Sequence, residues 1–195
     1  EDFELSHYSK RTVDLEYKFP WGFKEMFACA YRTDFDLKNH AQQSKQKLDY
    51  TYPDGKKITP HVIEPTFGLS RFVTILLMDS YREEKIEDSS RIFLQLDPKI
   101  APVKLAVFPL VKKEPLKDLA KDILGMFSSQ FNVEYSETGS IGKRYRKQDE
   151  IGTPYCLTVD FDSLDDNCVT VRNRDTLQQE RVSIDELRNY FSSRI

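Results

Sequence analysis

A carboxylate and a guanidinium flank a glycine in the stretch "HVIEPTFGLSR", residues 61–71, where a predicted strand passes into a predicted helix. The three residues are Glu64, Gly68 and Arg71. An arginine in a first helical turn is mildly unfavourable, because the helix dipole already places partial positive charge there. Together with the N–H groups of that turn, Arg71 could hold a phosphate or a planar anion, while Glu64 in the same pocket pairs with an ammonium group. The alternative is an ordinary turn with a surface arginine, and the residues leave both open.

A second carboxylate, Glu25, interrupts the apolar strand pattern "FKEMFACAY". Lys24 must point to the other face, because side chains alternate along a strand. A charged group among apolar neighbours indicates either a binding site or a strand with one solvated face, and this stretch alone does not decide between them.

A basic segment, "GSIGKRYRKQDEIG", covers residues 139–152. Its cations Lys143, Arg144, Arg146 and Lys147 surround Tyr145. Basic groups contact phosphates and an aromatic ring can stack on an unpaired base, so the segment could bind nucleic acid. The alternative is a solvated helix whose cations pair with the acids that follow at helical spacing.

Two kinds of pattern must position these residues. Up to residue 98, alternating strands predict an antiparallel sheet fragment, with a Pro20–Gly22 hairpin, a polar helix capped by Asp34 or Asp36, and a helix over 69–81. From residue 99, strands alternate with amphipathic helices, which predicts an α/β layer fold with right-handed crossovers. There "KLAVFPLV" is a doubly buried strand, and Ser183 with Glu186 matches a capping box.

Composition excludes several classes of protein. The 195 residues are 39% hydrophobic and 31% charged with a net charge of −3, so any contact with nucleic acid must come from a local patch. No apolar run reaches the roughly 18 residues that span a bilayer, which predicts no membrane partner. The cysteines (Cys29, Cys156, Cys168) are predicted to be reduced thiols in a cytoplasmic protein, and the histidines (His7, His40, His61) have no metal-ligand spacing. The chain lacks an initiator Met and begins within strand-like sequence, so we expect it to be part of a longer protein.

These segments, in this order, resemble one family. "YRTDFDLKNH" and "VIEPTFGLSR" are similar to segments of the dimeric class II glycyl-tRNA synthetases, the second to class II motif 3. "IGKRYRKQDEIGTPYCLTVDFD" followed by "VTVRNRDTLQQERV" resembles the anticodon-binding domain of class II synthetases. The resemblance implies the C-terminal portion of such an enzyme. Residues 1–98 would come from the antiparallel catalytic sheet, and residues 99–195 would form an α/β anticodon-binding domain with a mixed sheet.

The resemblance also implies substrates and roles. The parent enzyme would be an ATP-dependent glycine–tRNA ligase, a homodimer that acts on glycine, ATP and tRNA(Gly). Arg71 and Glu25 would be catalytic, Arg71 stacking on adenine and Glu25 meeting Mg²⁺ through ATP. ATP would contact Glu25, Met26, Gly68, Leu69, Ser70 and Arg71. Glycine would contact Glu64, Pro65, Thr66, Phe67 and Gly68, and tRNA would contact Lys143, Arg144, Arg146, Arg172 and Arg174.

Two departures from the family limit these expectations. Thr66 stands where the family usually has Ser, and its extra methyl would narrow a pocket sized for glycine. Class II motifs 1 and 2 do not occur in these 195 residues, so we expect the chain alone to be inactive. The alternative is a non-catalytic, synthetase-like accessory protein that binds nucleic acid; the presence of Glu25, Glu64 and Arg71 favours the enzyme.

Overall fold

The computed structural model describes residues 8–86 and 89–195. His7, one of the three histidines considered above, lies outside these residues. The chain divides into two compact units, Glu1–Ile75 and Leu76–Ile195. The sequence-based division at residue 98 stays a prediction, and each unit is described by itself.

The first unit is built on a three-stranded antiparallel sheet in the order β1-β2-β5. Its elements are β1 (Arg11–Phe19), β2 (Gly22–Thr33), α1 (Phe35–Ser44), β3 (Tyr50–Thr51), β4 (Lys57–Ile58), β5 (Val62–Phe67) and α2 (Leu69–Ser80), the last of which continues past Ile75. The β1–β2 hairpin turns at Pro20–Gly22, as predicted, and Gly22 takes a positive φ of 106° that glycine adopts without strain. Asp34 precedes α1, but its side chain makes no capping hydrogen bond.

Little of the first unit is buried. Among its described hydrophobic residues only Phe19 and Ala30 fall in the buried class. One side of the sheet carries an aromatic cluster, in which the Phe27 ring lies 4.9 Å from that of Phe67 and 6.2 Å from that of Phe72 on α2. Apolar side chains on β1 and α2 remain open to solvent.

The second unit is a layered α/β structure. Its elements are β6 (Tyr81–Ile86), β7 (Ser89–Leu94), β8 (Leu105–Pro109), α3 (Glu114–Phe127), β9 (Val133–Tyr135), α4 (Ile141–Ile151), β10 (Tyr155–Val159), α5 (Asp162–Asp166), β11 (Cys168–Asn173), β12 (Gln179–Ser183) and, after a 3₁₀ turn, α6 (Leu187–Ser192). The main sheet has the order β12-β11-β10-β8-β9. Strands β8, β9 and β10 are parallel, whereas β11 and β12 run antiparallel, so the sheet is mixed as predicted.

The core of this unit lies on both faces of β8, every residue of which is buried. Leu105 and Val107 pack in the larger cluster, with residues of α3 and α6 such as Leu116 and Phe191. Ala106, Phe108 and Cys156 form a smaller cluster, against which Ile141 and Tyr145 of α4 pack. Helix α3 begins with Pro115 in its first turn, and its buried residues recur at helical spacing.

Three elements and one capping motif differ from the sequence-based predictions. The β6–β7 hairpin, α5 and β12 were not predicted as regular elements. The capping box at Ser183 and Glu186 is wrong, because Ser183 precedes the 3₁₀ turn without a side-chain capping bond. A reciprocal pair occurs instead at the start of α5, where the Ser163 N–H donates to the Asp160 carboxylate (2.9 Å) and the Asp160 N–H donates to the Ser163 hydroxyl (3.1 Å).

Candidate functional site

The junction between β5 and α2 is fastened to β2 by two hydrogen bonds. The Gly68 N–H donates to the carbonyl of Met26 (3.0 Å), and the Arg71 guanidinium donates to the carbonyl of Glu25. These bonds bring together four residues that were assigned to one nucleotide site from sequence. The carboxylate of Glu25 and the side chain of Arg71 are both exposed, so both are available to a ligand.

Gly68 is required at this junction for a steric reason. A Cβ atom built on Gly68 would lie 2.9 Å from the carbonyl oxygen of Met26, closer than side chains approach backbone in proteins. Glycine is needed here because two backbone segments approach each other closely. A positive φ is not the reason.

The predicted glycine-contact residues divide between the two faces of the sheet. Glu64 pairs with Ala30 and Thr66 pairs with Ala28, and residues directly opposite each other share a face. Pro65 pairs with Cys29 on the other face, and Phe67 pairs with Phe27 there, so their side chains point away from Glu64 and Thr66.

Arg32 and Asp36 are site residues that the sequence analysis did not single out. The Arg32 guanidinium donates to both carboxylate oxygens of Asp36 (2.6 and 2.7 Å) and to Glu64 (2.7 Å). The hydrogen bonds from Arg32 lower the pKa of Asp36, and those two carboxylates raise the pKa of Arg32. The signal was present in "RTDFD", where an arginine precedes an aspartate by four residues at a helix start, the spacing of an ion pair.

Glu64 and Arg71 line separate clefts of the first unit. Glu64 lies in an open cleft with Arg32, Asp36, Leu37, His40 and Val62. Arg71 lies in a smaller cleft with Phe19, Trp21, Lys24 and Thr74. Only six residues separate Glu64 from Arg71 in the sequence. That the acid and the guanidinium form the wall of one pocket stays a prediction.

Three of the five arginines and lysines assigned to tRNA are buried in the second unit. Arg144 donates to the carbonyls of Pro109 (2.7 Å), Ser136 and Leu110, and burial lowers its pKa. Arg172 makes a two-fold hydrogen bond to Asp149 (2.8 and 2.9 Å) and lies over the Tyr145 ring.

The third buried arginine, Arg174, is 1% exposed and donates to the carbonyls of Gly152 (2.6 Å) and Leu96 (2.7 Å). These guanidiniums hold the fold, and the assigned cations that face solvent are Lys143 and Arg146.

Exposed cationic and apolar groups lie close together at the carboxyl ends of two neighbouring strands in the second unit's sheet. The carboxyl ends of β8 and β10 lie side by side there, joined by a hydrogen bond from the Leu110 N–H to the Val159 carbonyl (2.7 Å). Phe161 is 45% exposed, and the Lys113 ammonium lies 5.0 Å from its ring centre. Helix α3 connects β8 to β9, and helix α4 connects β9 to β10. Because β8 lies between β9 and β10 in the sheet, the direction of the strand order reverses at the carboxyl ends of β8 and β10. Ligands of open α/β sheets bind at such reversal points.

Two negative findings apply to the described part of the chain. Within residues 8–86 and 89–195, no three His, Cys, Asp or Glu side chains are grouped so that they could hold a metal ion. In the same ranges, no helix combines the length and apolarity needed to cross a membrane.

Comparison with known proteins identifies the family. Residues 104–194 match the family model of the anticodon binding domain. The chain is 54% identical over 193 residues to a glycine–tRNA ligase of Acetivibrio thermocellus, and 52% identical over 194 residues to that of Clostridium acetobutylicum. The chain belongs to the glycine–tRNA ligase family. Both alignments include 98% of this chain but only 41% and 42% of the relatives, so the chain spans about two fifths of their length.

Solved structures with the same fold are also class II synthetases. A prolyl-tRNA synthetase from Cryptosporidium parvum, complexed with L-proline and AMP, superposes with a TM-score of 0.70 at 16% identity. The superposition covers 97% of this chain and 39% of that one. The RNA binding domain of a threonyl-tRNA synthetase from the same organism gives a TM-score of 0.69 at 18% identity, covering 94% of this chain and 42% of that one. The predicted fold class is confirmed.

Proposed function

We propose that this chain supplies part of the catalytic site and the anticodon-binding domain of a glycine–tRNA ligase. The observation that carries the proposal is the fastened β5–α2 junction, which joins Arg71 and Gly68 to Glu25 and Met26 within a family of glycine–tRNA ligases. The parent reaction would couple the carboxylate of glycine to the α-phosphate of ATP with release of pyrophosphate. A terminal ribose hydroxyl of tRNA would then take the glycyl group.

In this proposal, glycine binds at the Glu64 end of the site. Its ammonium pairs with the Glu64 carboxylate, which Arg32 holds in place through a 2.7 Å hydrogen bond. Thr66 lies on the same face of the sheet as Glu64, opposite the small side chain of Ala28. Selection of glycine would come from the lack of further space, because glycine offers no side chain to grip.

ATP would bind at the other end of the junction, near Arg71. The planar guanidinium can stack on a base and pair with phosphate, and Leu69 and Ser70 present backbone N–H groups of the first turn of α2. Mg²⁺ binds proteins through one or two carboxylates together with nucleotide phosphates, and Glu25 is a single exposed carboxylate suited to that role. The residues would act by orienting glycine and ATP and by neutralising phosphate charge.

The second unit would read the anticodon at the carboxyl edge of β8 and β10. Lys113 and Phe161 offer a phosphate partner and a stacking surface there, and Lys143 and Arg146 add charge on α4. Arg144 would shape the edge from inside, because its guanidinium ties together the loops that follow β8 and β9. Its Nε is buried and has no hydrogen-bond partner among the described residues.

We further propose that the 195 residues alone do not catalyse aminoacylation, because they correspond to about two fifths of the relatives' length. The complete ligase would be a cytoplasmic homodimer. A non-catalytic, synthetase-like protein that binds nucleic acid remains the alternative, and activity of the complete protein with glycine and ATP would contradict it.

Binding of tRNA tests the proposal on this chain directly. We expect it to bind a tRNA(Gly) transcript more tightly than the same transcript with a replaced anticodon, with affinity falling as salt rises. Lys113→Gln with Phe161→Ala should remove most of that preference. Lys10→Gln with Lys99→Gln, at exposed sites elsewhere, should not. Equal affinity for both transcripts, measured by fluorescence anisotropy, would overturn anticodon reading by this unit.

A further inference from the structure

The β3–β4 hairpin of the first unit is built to present its side chains to solvent. The turn Pro53-Asp54-Gly55 is closed by hydrogen bonds from the Tyr52 N–H to the Lys56 carbonyl (2.8 Å) and from the Gly55 N–H to the Tyr52 carbonyl (2.9 Å). Gly55 has a φ of +84°, which suits glycine in such a turn. All residues from 42 to 57 are exposed. The side chains of this short ribbon are therefore accessible to a partner.

The charge of this segment is opposite to that of the chain. We define the basic hairpin as residues 45–58. It has four lysines (Lys45, Lys47, Lys56, Lys57) and two aspartates (Asp49, Asp54), which gives +2, against −3 for the whole chain. Within the described residues none of these lysines is in an ion pair.

Both carboxylates of the basic hairpin already accept local hydrogen bonds. Asp49 accepts from the Thr59 hydroxyl (2.8 Å) and Asp54 accepts from the Lys56 N–H (2.9 Å). The lysine ammonium groups are therefore the groups of the hairpin that remain for an anionic partner.

The two faces of the basic hairpin are different. Tyr50 and Tyr52 lie on the same face, 53% and 41% exposed, with ring centres 5.0 Å apart in an edge-to-face arrangement. Lys56 is opposite Tyr52 and shares that face, whereas Lys57 pairs with Thr51 on the other. One face thus combines two stackable rings with an ammonium group, and the other carries an ammonium group without aromatic rings.

We propose that the tyrosine face of the basic hairpin is a second RNA-binding surface of this chain, which contacts the sugar-phosphate backbone and an unpaired base of tRNA. Unpaired cations suit phosphates, and exposed rings suit bases, since every base has a π-face. An acidic protein could pair with the lysines but would offer no bases to stack on the two rings. The inference rests on the proposed function, which supplies tRNA as the partner.

The test compares substitutions on the two faces in the full 195-residue chain. Lys56→Gln should weaken tRNA binding several-fold at about 100 mM salt and reduce the slope of log affinity against log salt by about 0.7 to 0.9, the value of one phosphate contact. Lys57→Gln, the matched change on the opposite face, should have a much smaller effect. Tyr50→Ala with Tyr52→Ala should weaken binding, whereas the Phe versions should retain it, because stacking needs the ring and not the hydroxyl.

Each outcome decides a different claim. If the unmodified chain does not bind tRNA, the proposed function itself fails. If the chain binds tRNA but Lys56→Gln and Lys57→Gln weaken binding equally, the hairpin contributes only diffuse charge and the inference is wrong. If the double Ala and double Phe variants bind tRNA equally well, the tyrosine rings do not stack on a base and the inference is also wrong. Because all these residues are exposed, circular dichroism should be unchanged in every variant.

Discussion

At the scale of single residues, Gly68 is the position where one added methyl group tests the site. In Gly68→Ala the Cβ would lie 2.9 Å from the Met26 carbonyl oxygen, and that oxygen belongs to backbone that cannot move without disturbing β2. We expect a loss of about 1–3 kcal/mol in the free energy of unfolding, the usual cost of overpacking. Urea unfolding of the chain measures it.

The matched control for this change is Gly125→Ala in α3. Apart from the two neighbouring residues and the backbone of α3 itself, no heavy atom lies within 4 Å of a Cβ built there, and the position is exposed. Alanine is the better helix former by about 0.8–1.0 kcal/mol, so this variant should be more stable than the natural chain. A Gly68→Ala variant as stable as Gly125→Ala would show that the β5–α2 junction tolerates a side chain, and that close backbone contact does not shape the site.

The types of the residues indicate the chemistry of the site, but they did not predict which of the side chains are exposed. Gly68 and Arg71 belong to the motif that forms the strand–turn–helix junction. Hydrogen bonds from these two residues to the carbonyls of Met26 and Glu25 join that junction to β2. Arg172 and Arg174 belong to an equally basic stretch, yet their guanidiniums are buried on Asp149 and on backbone carbonyls. Those partners are distant in the sequence. A local sequence pattern therefore does not indicate which arginines become buried against them.

At the scale of elements, α5 and β12 are joined by one arginine with two carboxylates. Arg181 of β12 donates to Asp160 (2.8 and 3.0 Å) and to Asp166 (2.7 and 2.8 Å). Hydrogen bonds from Arg181 lower the pKa of Asp166. Burial opposes ionisation of Asp160, but bonds from Ser163 and Arg181 outweigh it and lower that pKa as well. A carboxyl whose pKa is lower in the folded state stabilises the fold above its unfolded pKa of about 3.9 and loses this effect as the pH falls.

The pH dependence of an Arg181→Gln variant should follow from these shifts. We expect it to be less stable than the natural chain between about pH 5 and 8, with the difference shrinking below about pH 4 as both aspartates become protonated. Urea unfolding at a series of pH values gives the curve. Arg188→Gln, at an exposed arginine that is in no ion pair within the described residues, serves as control and should show no such trend. A constant difference down to pH 2 would contradict the role of the two carboxylates.

Elements with a one-sided or fully apolar pattern were predictable, and edge elements were not. Strand β8 and helix α3 bury their apolar residues in the core, so the spacing of apolar residues in the sequence predicts both elements. Strand β12, "QERVS", has one buried residue, Val182, and exists because it pairs with β11 at the edge of the sheet. The β7 strand contains Arg91, which is buried because Asp149 lies 3.0 Å away on α4, and no local pattern reveals that pairing.

At the scale of the whole molecule, the two units differ greatly in buried apolar surface. The second unit has two described clusters around the mixed sheet, including Phe127, Leu157 and Phe191, all at most 1% exposed. The first unit has only Phe19 and Ala30 in the buried class among its described hydrophobic residues. Burial of apolar surface is the main favourable contribution to folding, so the second unit should be the more stable of the two.

Unfolding of the chain should therefore take place in two steps, with the first unit unfolding at lower urea concentration. Trp21 is the only tryptophan of the chain and lies in the first unit, stacked on Phe19 with ring centres 5.0 Å apart, so its fluorescence reports on that unit alone. Circular dichroism reports on both units. We expect the fluorescence midpoint to precede the main dichroism midpoint, and the amides of β8, β10 and β11 to exchange with solvent far more slowly than those of β1, β2 and β5. Coincident midpoints, together with equal protection in the two sheets, would mean that the chain unfolds as one cooperative body and that burial within each unit does not set its stability.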